Sequence, residues 1–380
     1  MKKIYSLLAA ALLLSFSLPS AAVTKKPTAK RKATKAQAQI PSPSKTKGPL
    51  YAGRPDVMQQ AEAIAERRSL NLPWVQKTLG QARFMPGIAK AILPPPVGVP
   101  KNWAAYRSRF VEPVRIQAGT RFWQNNLETL QRAEAQTGVP ARIIVGIVGV
   151  ETIYGQNTGT FRVIDALATL AFDFPAAHPR AEARRAFFLA ELEEYLALTA
   201  RTHTDPLALR GSYAGAMGWP QFMPSSWVKY AVDFDGDGRV DLFNSQADVI
   251  GSVANYFKAF QWQPGMATHY RVHFDANSLD PAFLQNPDIL PAWTVADLAA
   301  KGVLVDPPGN QHNGPLALIE LQNGEEPPEF VAGTANFYAI TRYNWSSYYA
   351  MAVIELGDAV AEAVAAPPQV TAADDGGVTK

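Results

Sequence analysis

Cysteine is absent from the 380 residues. That excludes a disulfide framework, a thiolate zinc site, a cysteine nucleophile, an iron–sulfur cluster and a lipid-bearing cysteine. Histidine is scarce, at 5, so chemistry falls to carboxylates, hydroxyls or a bound ion. Acid is also missing locally. Residues 1–47 hold ten Lys/Arg and no Asp or Glu, leaving 26 basic against 33 acidic residues, net −7, for the rest. The overall +3 therefore does not mark a nucleic-acid binder, and no nucleic-acid partner is expected.

Long apolar runs are absent except at the start. Met1–Ala22 reads as a cleaved signal peptide: Lys2 and Lys3, an apolar stretch from Ile4 to Leu18, then small residues ending Ser20-Ala21-Ala22. An exported, periplasmic, non-lipidated protein with no membrane span in its mature chain is expected. Residues 23–49, rich in Lys, Thr, Ala, Pro and Ser, read as a disordered basic linker, and 365–380 as a disordered tail.

Between these ends, helical spacing dominates. It marks Arg54–Gly80 (Val57, Ala61, Ile64, Leu70), Gly119–Gln136, Pro140–Tyr154, Arg184–Arg201 and Gln246–Phe260. From Ala267 to Tyr343 short alternating runs appear, such as Tyr270–Phe274 and Leu316–Leu321, with Gly, Pro and Asn between them; these read as strands. A last helix runs from Ser346 to about Val364. The fold class is mainly α (α+β), with a small β-containing lobe placed late. The expected divisions are an N-terminal helical region at 50–140, a core at 141–265, a small α+β lobe at 266–342 and a helix at 343–364 that returns to the core.

The most informative stretch is Pro140–Gly155. Pro140 can open a helix and Gly155 can end one, while every residue from Ile143 to Val150 is apolar or Gly. Glu151 arrives near the helix end as its only acid. Desolvation and the helix C-terminal dipole both raise its pKa, which suits a carboxylic acid that protonates a glycosidic oxygen. The alternative is a buried ion pair with Arg162 or Arg184. A second segment, GSYAGAMGWPQFMPSSW at 211–227, gathers small residues, aromatics, amides and hydroxyls, the composition of an oligosaccharide groove.

The segments GVETIYG (149–155), 211–227, YAVDFDGDGRVDLF (230–243), IGSVANYF (250–257) and TRYNWSSYYAMAV (341–353) occur in one order. With them the chain, from about Tyr51 through Leu356, resembles the bacterial membrane-bound lytic murein transglycosylase B family, of the soluble lytic transglycosylase B type. The resemblance implies a lysozyme-like catalytic core with an additional helical lobe. It also implies cleavage of the β-1,4 bond between N-acetylmuramic acid and N-acetylglucosamine in peptidoglycan without water, leaving 1,6-anhydromuramyl ends. Glu151 matches the family's single catalytic glutamate, acting as acid and then base, with no catalytic cofactor. Tyr106, Ser212, Gln221, Phe222, Tyr256, Tyr343, Asn344 and Tyr349 match groove residues. Arg184 or Arg185 matches an arginine facing the peptide or lactyl carboxylate, with the register uncertain beside an apparent insertion at 176–183. Peptidoglycan glycan strands are the implied partner, with other cell-wall enzymes as further ones, and the protein is expected to be a monomer.

Asp233–Asn244 fits an EF-hand loop at positions one, three, five, six and nine, supplied by Asp233, Asp235, Asp237, Gly238 and Asp241; Arg239 would offer its carbonyl. The usual Glu at position twelve is Asn244. Asp248 can close a lengthened loop over 233–248 instead, as an aspartate does in the resembling family, and a structural Ca²⁺ is expected. Two other readings remain: a lysozyme-type hydrolase of the same bond, and a peptidoglycan-binding scaffold that no longer cuts.

Overall fold

The computed structural model describes residues 45–94, 101–285 and 287–366. The signal peptide, most of the basic linker and nearly all of the C-terminal tail lie outside the described residues. The helices α1 (Pro55–Arg68), α2 (Leu72–Gly80) and α3 (Pro86–Ala91) come first, followed by α4 (Trp103–Arg107), α5 (Pro113–Asn125), α6 (Leu127–Thr137) and α7 (Ala141–Thr152). A two-residue strand β1 (Phe161–Arg162) leads into α8 (Val163–Phe172) and the long α9 (Ala181–Arg201). Then come β2 (Arg210–Gly211), α10 (Pro224–Tyr230) and α11 (Gln246–Ala259).

The stretch read as one helix over 119–136 is two. The break is Asn126, whose amide donates to the Phe122 carbonyl (2.8 Å) and to Gln246 Oε1 (2.6 Å), so the side chain satisfies a helix carbonyl and ties the corner to α11.

Two large cores form. Helices α1–α3 pack with α8 and α9 around Val57, Ile64, Leu79, Leu167, Leu192 and Tyr195. Helices α4–α7 pack instead with α11 and the last helices, around Phe122, Ile144, Val148, Phe257, Tyr349 and Val353. The packing thus cuts across the expected 50–140 region, whose first and second halves bury their apolar faces in different cores. Each half follows the helices that present it a matching apolar stripe.

The late lobe carries β3 (His269–Phe274), α12 (Val295–Ala300), β4 (Val303–Val305), β5 (Ala317–Asn323) and β6 (Glu326–Gly333). The sheet order is β4-β3-β6-β5, antiparallel at each pairing, with Tyr270 opposite Ala332 and Ile319 opposite Val331. Ala317, Ile319 and Leu321 of β5 enter the central core, while Leu316 and Leu318 enter a third, smaller one with Leu298 and Val303. Side chains alternate across a strand, so a sheet buried on both faces reads as a continuous apolar run. Pro327 and Pro328 are tolerated in β6 because the pairing with β5 is irregular there, between Leu321 and Asn323.

Two helices close the fold: α13 (Ala335–Tyr343), capped by Thr334, and α14 (Ser347–Ala365), capped by Ser346. The sequence reading placed α13 among strands. Its nine residues are too few for a clear helical period, and the cap rather than the pattern marks its start. Helix α14 packs against α7 from Tyr349 to Gly357. A Cβ on Gly146 would stand 2.2 Å from the Val353 carbonyl oxygen, and one on Gly357 would stand 2.1 Å from that of Arg142. The backbones of α7 and α14 therefore touch, which fixes the side chains they carry relative to each other.

Candidate active site

Helix α7 is buried from Ile143 through Val150, and Glu151 stands in its last turn. The helix stops abruptly, because Ile153 (φ 53°) and Tyr154 (φ 54°) are both left-handed and Gly155 (φ 83°) follows. A β-branched residue in that region carries strain of roughly 1 kcal/mol or more. Neighbours hold it there. Thr152 Oγ1 donates to the Trp219 carbonyl (2.9 Å) and accepts from Gly155 N (3.1 Å), and Trp219 covers Gly155 so closely that a Cβ would lie 2.2 Å from its indole. The Tyr154 ring stacks on Phe122 (5.2 Å). Thr152, Tyr154 and Trp219 thus hold the end of the helix that carries Glu151. All three lie in the segments GVETIYG and 211–227, but no role was legible for any of them in the sequence; the small neighbours Gly149 and Gly155 were the available signal.

Glu151 keeps only part of its surface accessible and is not paired with a cation. The ion-pair alternative is overturned. Arg162 is held by Asp165 (2.6 Å), whose carboxylate also accepts from Arg83 N (2.9 Å), and Arg184 lies over the rings of Phe187 (5.1 Å) and Phe188 (5.0 Å). The partner of Glu151 is Tyr349 on α14, whose hydroxyl donates to Oε1 at 2.5 Å. Desolvation pushes Glu151 up from 4.5 to about 7, against the opposing pull of that hydrogen bond. Among the described residues no second carboxylate acts on Glu151: Asp173, the other nearby acid in sequence, is held by Arg54 (2.8 Å) and by the Tyr51 hydroxyl (2.6 Å).

Aromatic residues line up around this pair. Tyr343 stacks on Tyr349 (6.4 Å, 14° between planes) and packs on Tyr256 (4.7 Å), and Phe222 touches both Tyr256 and Tyr343 at 5.9 Å. The Tyr343 and Tyr256 hydroxyls are spent on the carbonyls of Pro220 (2.6 Å) and Arg342 (2.7 Å), so these rings are fixed walls. The Tyr106 hydroxyl and Asn344 Nδ2, by contrast, are buried without a partner, and the charge of Glu151 acts on the Tyr106 hydroxyl. Buried polar groups are rarely left unmatched, so both are suited to a ligand's polar groups.

The 211–222 loop is stitched to the chain just past α7. Phe161 pairs with Gly211, and Met217 and Phe222 exchange backbone hydrogen bonds. Ser212 Oγ accepts from Ala216 N (3.0 Å), and Gln221 Nε2 donates to the carbonyls of Thr158 (3.1 Å) and Gly218 (2.9 Å). Ser212 and Gln221 thus brace the loop that presents Phe222. Arg184 and Arg185 are not brought to this cluster: Arg184 is stacked as above, and Arg185 Nε donates to the Ala171 carbonyl (3.2 Å).

In the acidic loop, Asp233, Asp235 and Asp248 bring carboxylate oxygens within 4.8 Å of one another. Asp248 is buried and accepts from Phe234 N and Asp241 N, both at 2.7 Å, so it closes the loop from α11. Asp237 turns to the Arg239 guanidinium (3.2 Å), and Asn244 donates to Asp241. Three hard oxygen donors gathered this closely fit a cation such as Ca²⁺, because like charges at that spacing repel without one.

Among the described residues the Tyr349 hydroxyl is the one group that pulls the Glu151 pKa down, and its removal takes that pull away. In Tyr349→Phe the carboxyl should stay protonated to higher pH, so the limb on which activity falls with rising pH moves upward, while the maximal rate drops as Glu151 loses its orientation. The pH profile of kcat/KM checks this; a limb that stays put would mean Tyr349 does not set the proton affinity.

A lone carboxylic acid with a raised pKa, set at the end of a buried helix and walled by tyrosines, defines a mainly helical enzyme that cleaves glycans. The chain belongs to the family of the transglycosylase SLT domain, whose model matches residues 53–358. It is 39% identical over 320 residues to membrane-bound lytic murein transglycosylase B of Escherichia coli (strain K12), covering 82% of this chain and 84% of that one. The solved Escherichia coli lytic transglycosylase Slt35 is 38% identical over 83% of this chain and 96% of its own. It matches with a TM-score of 0.74 in complex with bulgecin A and 0.73 in complex with calcium. SltB3 of Pseudomonas aeruginosa, in complex with NAG-NAM-pentapeptide, is 27% identical over 80% of this chain and 79% of its own, with a TM-score of 0.62. The lysozyme-like fold expected from the resemblance is the one observed.

Proposed function

We propose that this protein is a lytic transglycosylase that cuts the β-1,4 bond between N-acetylmuramic acid and N-acetylglucosamine in peptidoglycan. The observation that carries the reading is the hydrogen-bonded Glu151–Tyr349 pair, with Glu151 raised to about 7 and, among the described residues, no second carboxylate acting on it. Protonated Glu151 gives its proton to the glycosidic oxygen as the C1–O bond breaks. The resulting carboxylate takes the proton of the muramyl 6-hydroxyl as that oxygen bonds to C1, closing the 1,6-anhydro ring and restoring the acid. Ordinary retaining and inverting glycosidases use two carboxylates, one of them to activate water or to attack. A single carboxylate fits the substrate's own hydroxyl as nucleophile, and the product test below separates this from a substrate-assisted hydrolase. Tyr106, Phe222, Tyr256, Tyr343, Asn344 and Tyr349 would hold the sugars, on a loop braced by Ser212 and Gln221.

Mass spectrometry of fragments released from purified peptidoglycan tests the reading. Products one water lighter than hydrolytic ones are expected; reducing ends would make the protein a hydrolase, and binding without release would make it a scaffold.

Asp233, Asp235 and Asp248 would hold a structural Ca²⁺, with Asp237 and the Arg239 carbonyl completing the shell on modest rearrangement, and the ion would pin the loop to α11 rather than take part in the reaction. Chelation should then lower the melting temperature and Ca²⁺ should restore it, by about 2.7 kcal/mol of stability at a hundredfold excess over Kd. A melt unchanged by chelator would remove the metal from the account. Export to the periplasm rests on Met1–Ala22. Among the described residues no helix is long and apolar enough to cross a membrane, and without cysteine the chain has no site for a thioether lipid. Glycan strands are the proposed partner of the mature, monomeric chain, with other cell-wall enzymes as further ones and no nucleic acid.

A further inference from the structure

Trp219 covers Gly155 and offers its carbonyl to Thr152, and its own support comes from the acidic loop. Its backbone N–H donates to the Leu242 carbonyl (2.9 Å) and its indole Nε1 to the Phe243 carbonyl (2.9 Å). The two segments meet backbone to backbone: a Cβ on Gly218 would stand 2.5 Å from the Leu242 carbonyl oxygen. Leu242 and Phe243 are the outgoing limb of the loop whose carboxylates would hold Ca²⁺. Asp241, just before them, donates its N–H to the buried Asp248 carboxylate (2.7 Å) and accepts from Phe243 N (2.9 Å). Hydrogen bonds and adjacent residues thus run from Asp248 through 241–243 to Trp219, and from Trp219 to the turn that ends α7. That turn needs support, because Ile153 and Tyr154 keep left-handed backbones only while their surroundings hold them there. The segment that begins at Trp219 also carries part of the groove. The Pro220 carbonyl accepts the Tyr343 hydroxyl (2.6 Å), and Phe222 packs on Tyr256 and Tyr343. The incoming limb reaches the groove as well: Tyr230, three residues before Asp233, meets Tyr256 edge-on (5.0 Å), and its carbonyl accepts Asn255 Nδ2 (2.9 Å).

We propose that the acidic loop positions Glu151 and the aromatic wall through Trp219, so that Ca²⁺ and glycan bind cooperatively without the ion entering the reaction. This rests on the readings of the loop as a Ca²⁺ site and of the groove as a glycan site. Trp219 is then a positioning residue, acting on the substrate through Glu151 and Phe222. An ion held by Asp233, Asp235 and Asp248 ties both limbs of the loop to α11, and each limb ends on a groove element. A glycan binds most tightly to chains whose groove is already ordered, so its apparent affinity rises with the fraction of chains in which the loop is held. By linkage the glycan must then tighten the ion by the same factor. A loop that served stability alone would raise the melting temperature and leave the two affinities independent.

Titration calorimetry on the mature chain carrying Glu151→Gln, which should bind without cutting, is the test. The probes are Ca²⁺ and a peptide-free tetrasaccharide of alternating N-acetylglucosamine and N-acetylmuramic acid, with Ca²⁺ binding by the sugar's own carboxylates measured in a titration without protein. Ca²⁺ should bind about fivefold or more tightly at saturating tetrasaccharide, and the tetrasaccharide should gain the same factor at saturating Ca²⁺. Trp219→Phe on that background removes the indole N–H that reaches Phe243. It should cut both gains to below about twofold while leaving the Ca²⁺ affinity without sugar close to that of the parent. Both ligands binding with independent affinities would overturn the proposal alone, as would gains that survive intact in Trp219→Phe. Absence of Ca²⁺ binding would overturn the metal reading, and absence of tetrasaccharide binding the glycan reading, each taking the proposal with it. The reciprocal gains are measured with Trp219 in place, so the coupling is decided even where Trp219→Phe does not fold.

Discussion

Glu151→Gln should reduce glycan cleavage by roughly 10³-fold or more, since one group acts as acid and then as base. Binding of strands and the melting temperature should stay close to wild type. Gln keeps the volume of Glu and can still accept the Tyr349 hydroxyl, so the 2.5 Å contact and the packing around it have a partner of the same shape. No arginine is left uncompensated either, because none pairs with Glu151. A loss of fold would instead mean that the carboxyl holds the helices together. Retained cleavage would mean that another group supplies the proton.

The second large effect concerns Gly146. Alanine in place of glycine inside a helix ordinarily stabilises by about 1 kcal/mol. Here the sign should reverse: the added methyl would meet the Val353 carbonyl oxygen at 2.2 Å, and a backbone atom cannot move aside as a side chain can. Gly146→Ala should therefore destabilise by about 2–3 kcal/mol, the scale of overpacking a close contact. It should also impair catalysis, because Glu151 and Tyr349 ride on the two helices being forced apart. Chemical denaturation and kcat measured on the same protein check both parts. A neutral or stabilised variant would show that α7 and α14 do not meet at their backbones.

The helix over 140–154 was legible because a long apolar run bounded by Pro140 and Gly155 leaves few other structures, and the solitary acid within it drew attention to Glu151. The strands Tyr270–Phe274 and Leu316–Leu321 were legible from their alternation. The break at Asn126 was not, because it depends on a hydrogen bond to Gln246, 120 residues away. Nor was α13, a nine-residue helix whose last side chains face different surroundings: Tyr343 turns into the groove and Arg342 onto Trp345. The family resemblance named the tyrosines near Glu151, but which hydroxyls are spent on carbonyls and which are unmatched is a property of contacts between distant segments. For the same reason the sequence singled out Arg184, whose neighbours in space are the rings of its own helix.

The most direct test of the account is titration of the Glu151 carboxyl itself, by difference between wild type and Glu151→Gln in carbon-13 NMR of labelled carboxyl groups. A midpoint near 7 is predicted, since desolvation outweighs the single hydrogen bond from Tyr349. A midpoint near the ordinary 4.5 would contradict it, because Glu151 would then be ionised at neutral pH and have no proton to give the leaving oxygen.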